Sequence, residues 1–381
     1  MSIKTTEKVN LHTEREITAQ PRLWNETYNM LIKEKENIKR FLSPILAHQN
    51  LRIILSGAGS SAFIGETAQG IIQKNTNRIT QSIATTDLVT HPGSFFIKDV
   101  PTLLISFARS GNSPESIETV VLADEYCNNL SHLIITCNKS GELANYSART
   151  SSPCLSIVLP EETNDKSLAM TSSFTTMLLT AILISNIETI ENKKANVDAI
   201  CKEANQILNE QALFREIAKK DFERVVFLGS GEMLGIAREC HLKLQELTDG
   251  QVICKHDSFL GFRHGPRAVV NANTLVVYLF SNDGHTFKYE KDLAEDIAKD
   301  TRKINSLMIG GDSGFITSNA KRMNVDVDLN NPLQVVPTTL VGQLLGLYKC
   351  LELGLNPDNP SISGAINRVV QGVNIYKRTK K

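Results

Sequence analysis

At 381 residues, 41% hydrophobic and 22% charged, the chain is long for one domain and comfortable for two, each able to bury its own core. Lys and Arg number 41, as do Asp and Glu, so no global field draws the protein to nucleic acid or to an anionic membrane. Signal-peptide and transmembrane readings fail as well. The N-terminal stretch MSIKTTEKVNLHTERE lacks an apolar run, and the most apolar stretch, 174–187, is too short and too rich in Thr and Ser to span a bilayer. Seven cysteines, an odd number without a C-x-x-C pair, do not form a disulfide framework, which points to a reducing cytoplasm.

In chain order, residues 1–20 read as a loose polar arm. From Pro21 apolar residues recur at helical spacing (Leu23, Thr27, Met30, Leu31, Ile38, Phe41, Leu42), with the proline as a helix-opening residue. The texture then changes to short apolar runs bounded by Gly, Ser, Asn or Pro. These are LRIILSG at 51, ITQSIATTD at 79, PTLLISF at 101, LIITCN at 133 and CLSIVLP at 154, with helix-like segments between them. Near-continuous apolar strands alternating with helices predict a parallel sheet covered on both faces. The apolar SFTTMLLTAILI (173–184) is expected to pack the two domains together or against a subunit partner.

The order then returns. RIILSGAGSS at 52 matches RVVFLGSGEM at 224, LLISFARSG at 103 matches VVYLFSNDG at 276, and LIITCNKSG at 133 matches LMIGGDSG at 307. In this alignment Gly111 pairs with Gly284. Three matches in one order predict two related α/β domains split near residue 215: 1–48 as N-terminal arm and helix, 49–215 as the first domain, 216–381 as the second with a C-terminal tail. The Ser-rich loop of the first copy is missing from the second, so a simple need to turn the chain does not account for it.

Two stretches of the first copy have the form of a strand, a glycine turn and a helix start: SGAGSSAFIGE (56–66) and ARSGNSPES (108–116). Such turns offer free backbone N–H groups and the positive end of a helix dipole. Each reads either as a plain capped turn or as an anion cradle, and together, crowded with serines, they suit a phosphate monoester. A dinucleotide fingerprint is met only in its loose form, with Gly57, Gly59 and Ala62 and Asp87 as a ribose acid. A triphosphate loop of the type G-x-x-x-x-G-K-[ST] is missing.

In the second copy, GIARECHLKLQELTDG (235–250) carries an apolar stripe of Ile236, Cys240, Leu244 and Leu247. Glu239, Lys243 and Glu246 fall in a narrow arc beside that stripe, either as solvated flank residues or as the lining of a cavity. GFRHGPRA (261–268) follows, where Pro266 excludes a helix and His264 is displayed on a loop, either solvated or as a proton carrier. Cys240 with His241, and Cys254 with His256, make only a weak metal reading, and no G-x-S-x-G marks a nucleophile.

These stretches together resemble the sugar isomerase (SIS) family over nearly the whole chain after the N-terminal arm. The arrangement is similar to the isomerase half of glucosamine-6-phosphate synthase, and closer to the AgaS type, the tagatose-6-phosphate ketose/aldose isomerases and galactosamine-6-phosphate deaminases. The segments LRIILSGAGSSAFIGE, TTDLVT, LLISFARSGNSPES, AMTSSFTTM, GFRHGP and NPDNPSISGAINRVVQGV carry the likeness. The resemblance implies two tandem SIS domains, each a flavodoxin-like parallel sheet sandwiched by helices, plus a helical N-terminal extension. It implies phosphate binding by Ser61, Ser110 and Ser113, with Gly59, Ser60, Gly111 and Asn112 around them and Arg109 alongside. Glu246 would move the proton between C1 and C2, and His264, supplied by the neighbouring subunit, would assist ring opening. Lys243 and Glu239 would support them; the synthase's C-terminal active-site lysine has no clean match in this chain, with Arg368 as the candidate. Two departures are the F-R-H-G-P turn and the longer interval from Glu246 to His264, both of which bear on substrate orientation.

The implied activity is conversion of galactosamine 6-phosphate to tagatose 6-phosphate and ammonia in a homodimer, or a higher homo-oligomer, with shared sites. It needs no cofactor and no metal, and has no nucleic-acid or membrane partner. With no room for a glutamine-hydrolysing domain, deamination is expected over amination. The rival readings are a ketose/aldose isomerase of a neutral hexose 6-phosphate, a glucosamine-6-phosphate deaminase and a non-catalytic sugar-phosphate sensor.

Overall fold

The structure, a computed structural model, describes residues 11–323, 331–370 and 372–377; the first half of the expected N-terminal arm lies outside these. Among the described residues ten strands make two five-stranded sheets. The first contains β1 (Arg52–Ser56), β2 (Ile79–Ser82), β3 (Thr102–Ala108), β4 (Leu130–Thr136) and β5 (Cys154–Val158), in the order β2-β1-β3-β4-β5. The second contains β6 (Arg224–Gly229), β7 (Ile253–Asp257), β8 (Thr274–Leu279), β9 (Asn305–Ile309) and β10 (Ala320–Arg322), in the order β10-β9-β8-β6-β7. Counted from its own first strand, each sheet reads 2-1-3-4-5, and every pairing is parallel. The duplication read from the sequence is therefore a duplication of topology.

The apolar runs explain the strands. All residues of the central strands β3 and β8 are buried, as strands covered by helices on both faces must be. In such a sheet the crevice opens at the carboxyl ends of the strands, where the strand order reverses. In the first sheet that point lies between β1 and β3, and the turns after those two strands are the serine-bearing ones.

Both copies make the turn after their first strand alike. Gly59 (φ 56°, ψ −130°) and Gly231 (φ 57°, ψ −127°) each precede a helix, Ser60–Thr76 and Glu232–Leu247. A positive φ favours glycine. The second turns differ. Gly111 has φ +69° within an open loop that ends at Ser113, whereas Gly284 is already the first residue of the helix Gly284–Ala298. The aligned glycines do different jobs, and the extra residues before the first copy's helix are the Ser-rich loop.

The described part of the expected loose arm is a helix, His12–Lys33, with Pro21 inside it instead of at its start. A proline removes the N–H that would bond the carbonyl four residues earlier. Here Gln20 Nε2 donates to the Ile17 carbonyl at 3.0 Å. The helix start is met by the Asp358 carboxylate, which accepts from His12 N at 3.0 Å and Thr13 N at 2.8 Å. The apolar helix Ser172–Ile184 has all 13 residues buried, packed within the chain against His12–Lys33, Ser60–Thr76 and residues 335–338. Each large apolar side chain buried there contributes roughly 1.5–3 kcal/mol. Among the described residues no single helix is long and apolar enough to cross a membrane.

Candidate active site

The Glu232–Leu247 helix packs between Ser60–Thr76 of the first copy and Leu340–Glu352 near the C-terminus. Three of its charged residues form a linked set, and one of them, Glu239, meets the first copy at the serine turn. Lys243 Nζ lies 2.7 Å from Glu246 Oε2 and 3.4 Å from Glu239 Oε1. Ser60 Oγ donates to that same Glu239 oxygen at 3.1 Å. The side chains of Glu239 and Lys243 are 0% and 1% exposed, against 23% for Glu246, so the arc is buried between packed helices and is no solvated flank.

Burial sets the electrostatics. It raises Glu239 to about 7, partly opposed by Lys243 and by the Ser60 hydrogen bond. For Lys243 burial works against the charge, but the two carboxylates outweigh it and leave its pKa above the ordinary lysine value. Oε2 of Glu239 is buried with no hydrogen-bond partner among the described residues. The set therefore holds a buried ammonium clamped to Glu246, whose carboxylate, unlike that of Glu239, is partly exposed.

The phosphate-loop candidates surround the switch point. Ser60 and Ser61 are buried at the start of their helix, and Ser61 Oγ donates to Met170 Sδ at 3.8 Å. The loop 110–113 is braced from outside. Asn138 Nδ2 donates to the Ser110 carbonyl at 2.7 Å, Glu142 N donates to Asn112 Oδ1 at 2.9 Å, and Leu143 N donates to the Gly111 carbonyl at 3.1 Å. Neither helix start carries a side-chain cap at Gly59 or Ser113, which leaves donors for an anion.

Other expected residues stand elsewhere. His264 is exposed on the turn after Phe259–Phe262, and no hydrogen bond or ion pair among the described residues joins it to Glu239, Lys243 or Glu246. Arg109, expected beside the phosphate, points its buried guanidinium at three backbone carbonyls, those of Ser167, Leu168 and Arg368. Arg368 donates to the Asp165 carbonyl and to Asn164 Oδ1, each at 2.7 Å. Cys240 is buried, and the His241 and His256 rings lie 4.6 Å apart, both pushed down to about 4 by burial. Among the described residues no group of three or more His, Cys, Asp or Glu is arranged to hold a metal.

The sequence reading missed Asp165. Its fully buried carboxylate accepts hydrogen bonds from the backbone N–H and hydroxyl groups of Thr171, Ser172 and Ser173, from 2.5 to 3.0 Å. An aspartate six residues before a T-S-S helix start was the available signal.

A 2-1-3-4-5 sheet with serine turns at its switch point defines the class: the SIS domain model matches residues 45–185. The chain is 41% identical to D-galactosamine-6-phosphate deaminase AgaS of Shewanella sp. (strain ANA-3), covering 97% of this chain and 92% of that one. It is 38% identical to the Escherichia coli protein of the same name, over 96% and 95% of the two chains. The solved tagatose-6-phosphate ketose/aldose isomerase of Escherichia coli superposes with a TM-score of 0.89 at 34% identity, over 97% of each chain. The chain belongs to the SIS family, in its AgaS-type branch.

Proposed function

We propose that the protein is an amino-sugar phosphate deaminase/isomerase that converts D-galactosamine 6-phosphate and water to tagatose 6-phosphate and ammonia. The observation that carries this reading is the buried Lys243 clamped to a partly exposed Glu246 beside the serine turn. The phosphate sits among Gly59, Ser60, Ser61 and the loop 110–113, which fixes the reactive end of the sugar. His264 assists opening of the ring to the aldehyde. Glu246 then takes the proton from C2 and returns it at C1, passing through an enolamine. Lys243 stabilises the charge that develops, and Glu239 supports it. Water adds to the resulting C2 imine, the C–N bond breaks, and ammonia leaves.

In this reading the chain is two domains, 49–215 and 216–381, behind an N-terminal piece of 1–48. It works in a reducing cytoplasm with no nucleic-acid or membrane partner. His264 serves the neighbouring subunit's site, so the active species is a homodimer. Mixing Glu246→Gln with His264→Ala subunits restores about a quarter of native activity if sites are shared; no rescue argues against sharing.

A second reading, isomerisation of a neutral hexose 6-phosphate, is favoured by the likeness to the solved tagatose-6-phosphate ketose/aldose isomerase. Assaying ammonia release and ketose formation on galactosamine 6-phosphate, glucosamine 6-phosphate and galactose 6-phosphate decides. Ammonia from galactosamine 6-phosphate at a kcat/KM at least about tenfold above the others supports deamination. Ketose from the neutral sugar alone overturns it.

A further inference from the structure

Arg109 is the first residue after β3, at the root of the Ser-rich loop, and is 7% exposed. Nη1 donates to the carbonyls of Ser167 at 3.3 Å and Leu168 at 3.0 Å, and Nη2 donates to the carbonyl of Arg368. A guanidinium has five N–H donors in a fixed fork, so a fork turned onto backbone carbonyls is committed to holding chain segments together. Arg368 answers from the C-terminal segment: Nε bonds the Asp165 carbonyl and Nη2 bonds Asn164 Oδ1.

The loop 164–168 between the two arginines is itself pinned. Asp165 ties it to the Thr171–Ser173 helix start. Leu168 N donates to the Asp358 carbonyl at 3.1 Å. The C-terminal segment that begins there is fastened further along as well. Asp358 caps the N-terminal helix, and Ile362 N donates to Asp249 Oδ2 at 3.3 Å, just past the Glu246 helix. Between the Ile362 and Arg368 fastenings, residues 362–367 are exposed. The segment thus runs from the end of the Glu246 helix to the root of the loop 110–113.

We propose that Arg109 is a positioning residue and not a phosphate ligand: with Arg368 it latches the segment 356–370 as the wall joining the phosphate loop to the Glu246 end of the site. The proposal rests on the reading of loop 110–113 as the phosphate cradle. Burial pulls the Arg109 pKa down while Asp165 supports its charge, as fits a cation held inside the protein and away from the pocket mouth. Because Arg109 roots the loop and holds the tail, anion binding and tail seating favour one another reciprocally.

The Arg368–Val369 bond gives a direct probe, since trypsin must engage the very side chain and carbonyl that the latch holds. In the native protein this bond is cut slowly, and inorganic phosphate slows it further. Arg109→Gln speeds cleavage there by about tenfold, while the Kd of inorganic phosphate measured by calorimetry stays within about twofold and KM for the sugar phosphate rises. Asn164→Ala, a milder change on a half-buried residue, speeds cleavage by about threefold. An Arg368 bond as resistant as the native one in either variant, or a tenfold loss of phosphate affinity in Arg109→Gln, overturns the proposal. Neither the cleavage nor the calorimetry requires turnover, so a failed deaminase assay leaves both results readable.

Discussion

The two copies build the same crevice and furnish it oppositely. After β1 the chain turns at Gly59 into Ser60 and Ser61; after β6 it turns at Gly231, with matching dihedrals, into Glu232 and Met233. After β3 comes the open serine loop, whose Ser113 leaves its helix without a side-chain cap. After β8 the helix is capped by its own carboxylate: Asp283 Oδ1 accepts from Thr286 N at 2.7 Å and Thr286 Oγ1 at 2.8 Å. Glu290 adds a second carboxylate, accepting from Ser281 N at 2.7 Å. A helix start that already holds a carboxylate has no vacancy for a phosphate. The second copy instead contributes the flank of its first helix, where Glu239 reaches across to Ser60 of the first copy's serine turn and Lys243 ties it to Glu246. Duplication supplied two crevices; in the proposed reading, side-chain chemistry closes one of them and makes its helix the reacting wall of the other.

The sharpest way to break this division is to remove chemistry without removing grip. Glu246→Gln lowers kcat for ammonia release from galactosamine 6-phosphate by about 10²–10⁴, with KM changed only a few-fold. The complementary change weakens grip. Ser110→Ala with Ser113→Ala removes two hydroxyl donors to a dianion and raises KM by about 10–100-fold, kcat falling less. The smallest effect belongs to the closed crevice. Asp283→Ala removes the cap and lowers Tm slightly, and leaves both kinetic constants within about twofold.

Much of this was legible in the sequence. The apolar runs named the five strands of the first sheet, and the matched segments foretold the second, because parallel strands covered on both faces leave a local signature. The arc of Glu239, Lys243 and Glu246 was legible as an arc, but whether it faced water or a cavity depended on what packed against it. Features set by distant partners were not legible. Residues 12–20 looked like loose arm, since the Asp358 cap lies more than 300 positions away and Gln20 substitutes for the donor that Pro21 lacks. Gly284 looked like a counterpart of Gly111 until backbone geometry put it inside a helix. Arg109 beside serines read as an anion ligand because nothing local records that its fork turns toward Ser167, Leu168 and Arg368. The edge strands β7 and β10 carry mixed, partly exposed residues and gave no run to recognise.

The central claim is that grip resides in the first copy and proton transfer in the second. Calorimetric titration of galactosamine 6-phosphate into the Glu246→Gln protein and into the Ser110→Ala/Ser113→Ala protein tests it most directly. The account predicts that Glu246→Gln binds the sugar phosphate within about threefold of the native KM, and that the serine double variant binds at least about tenfold more weakly. Weak binding by Glu246→Gln together with native-like binding by the serine variant would contradict it.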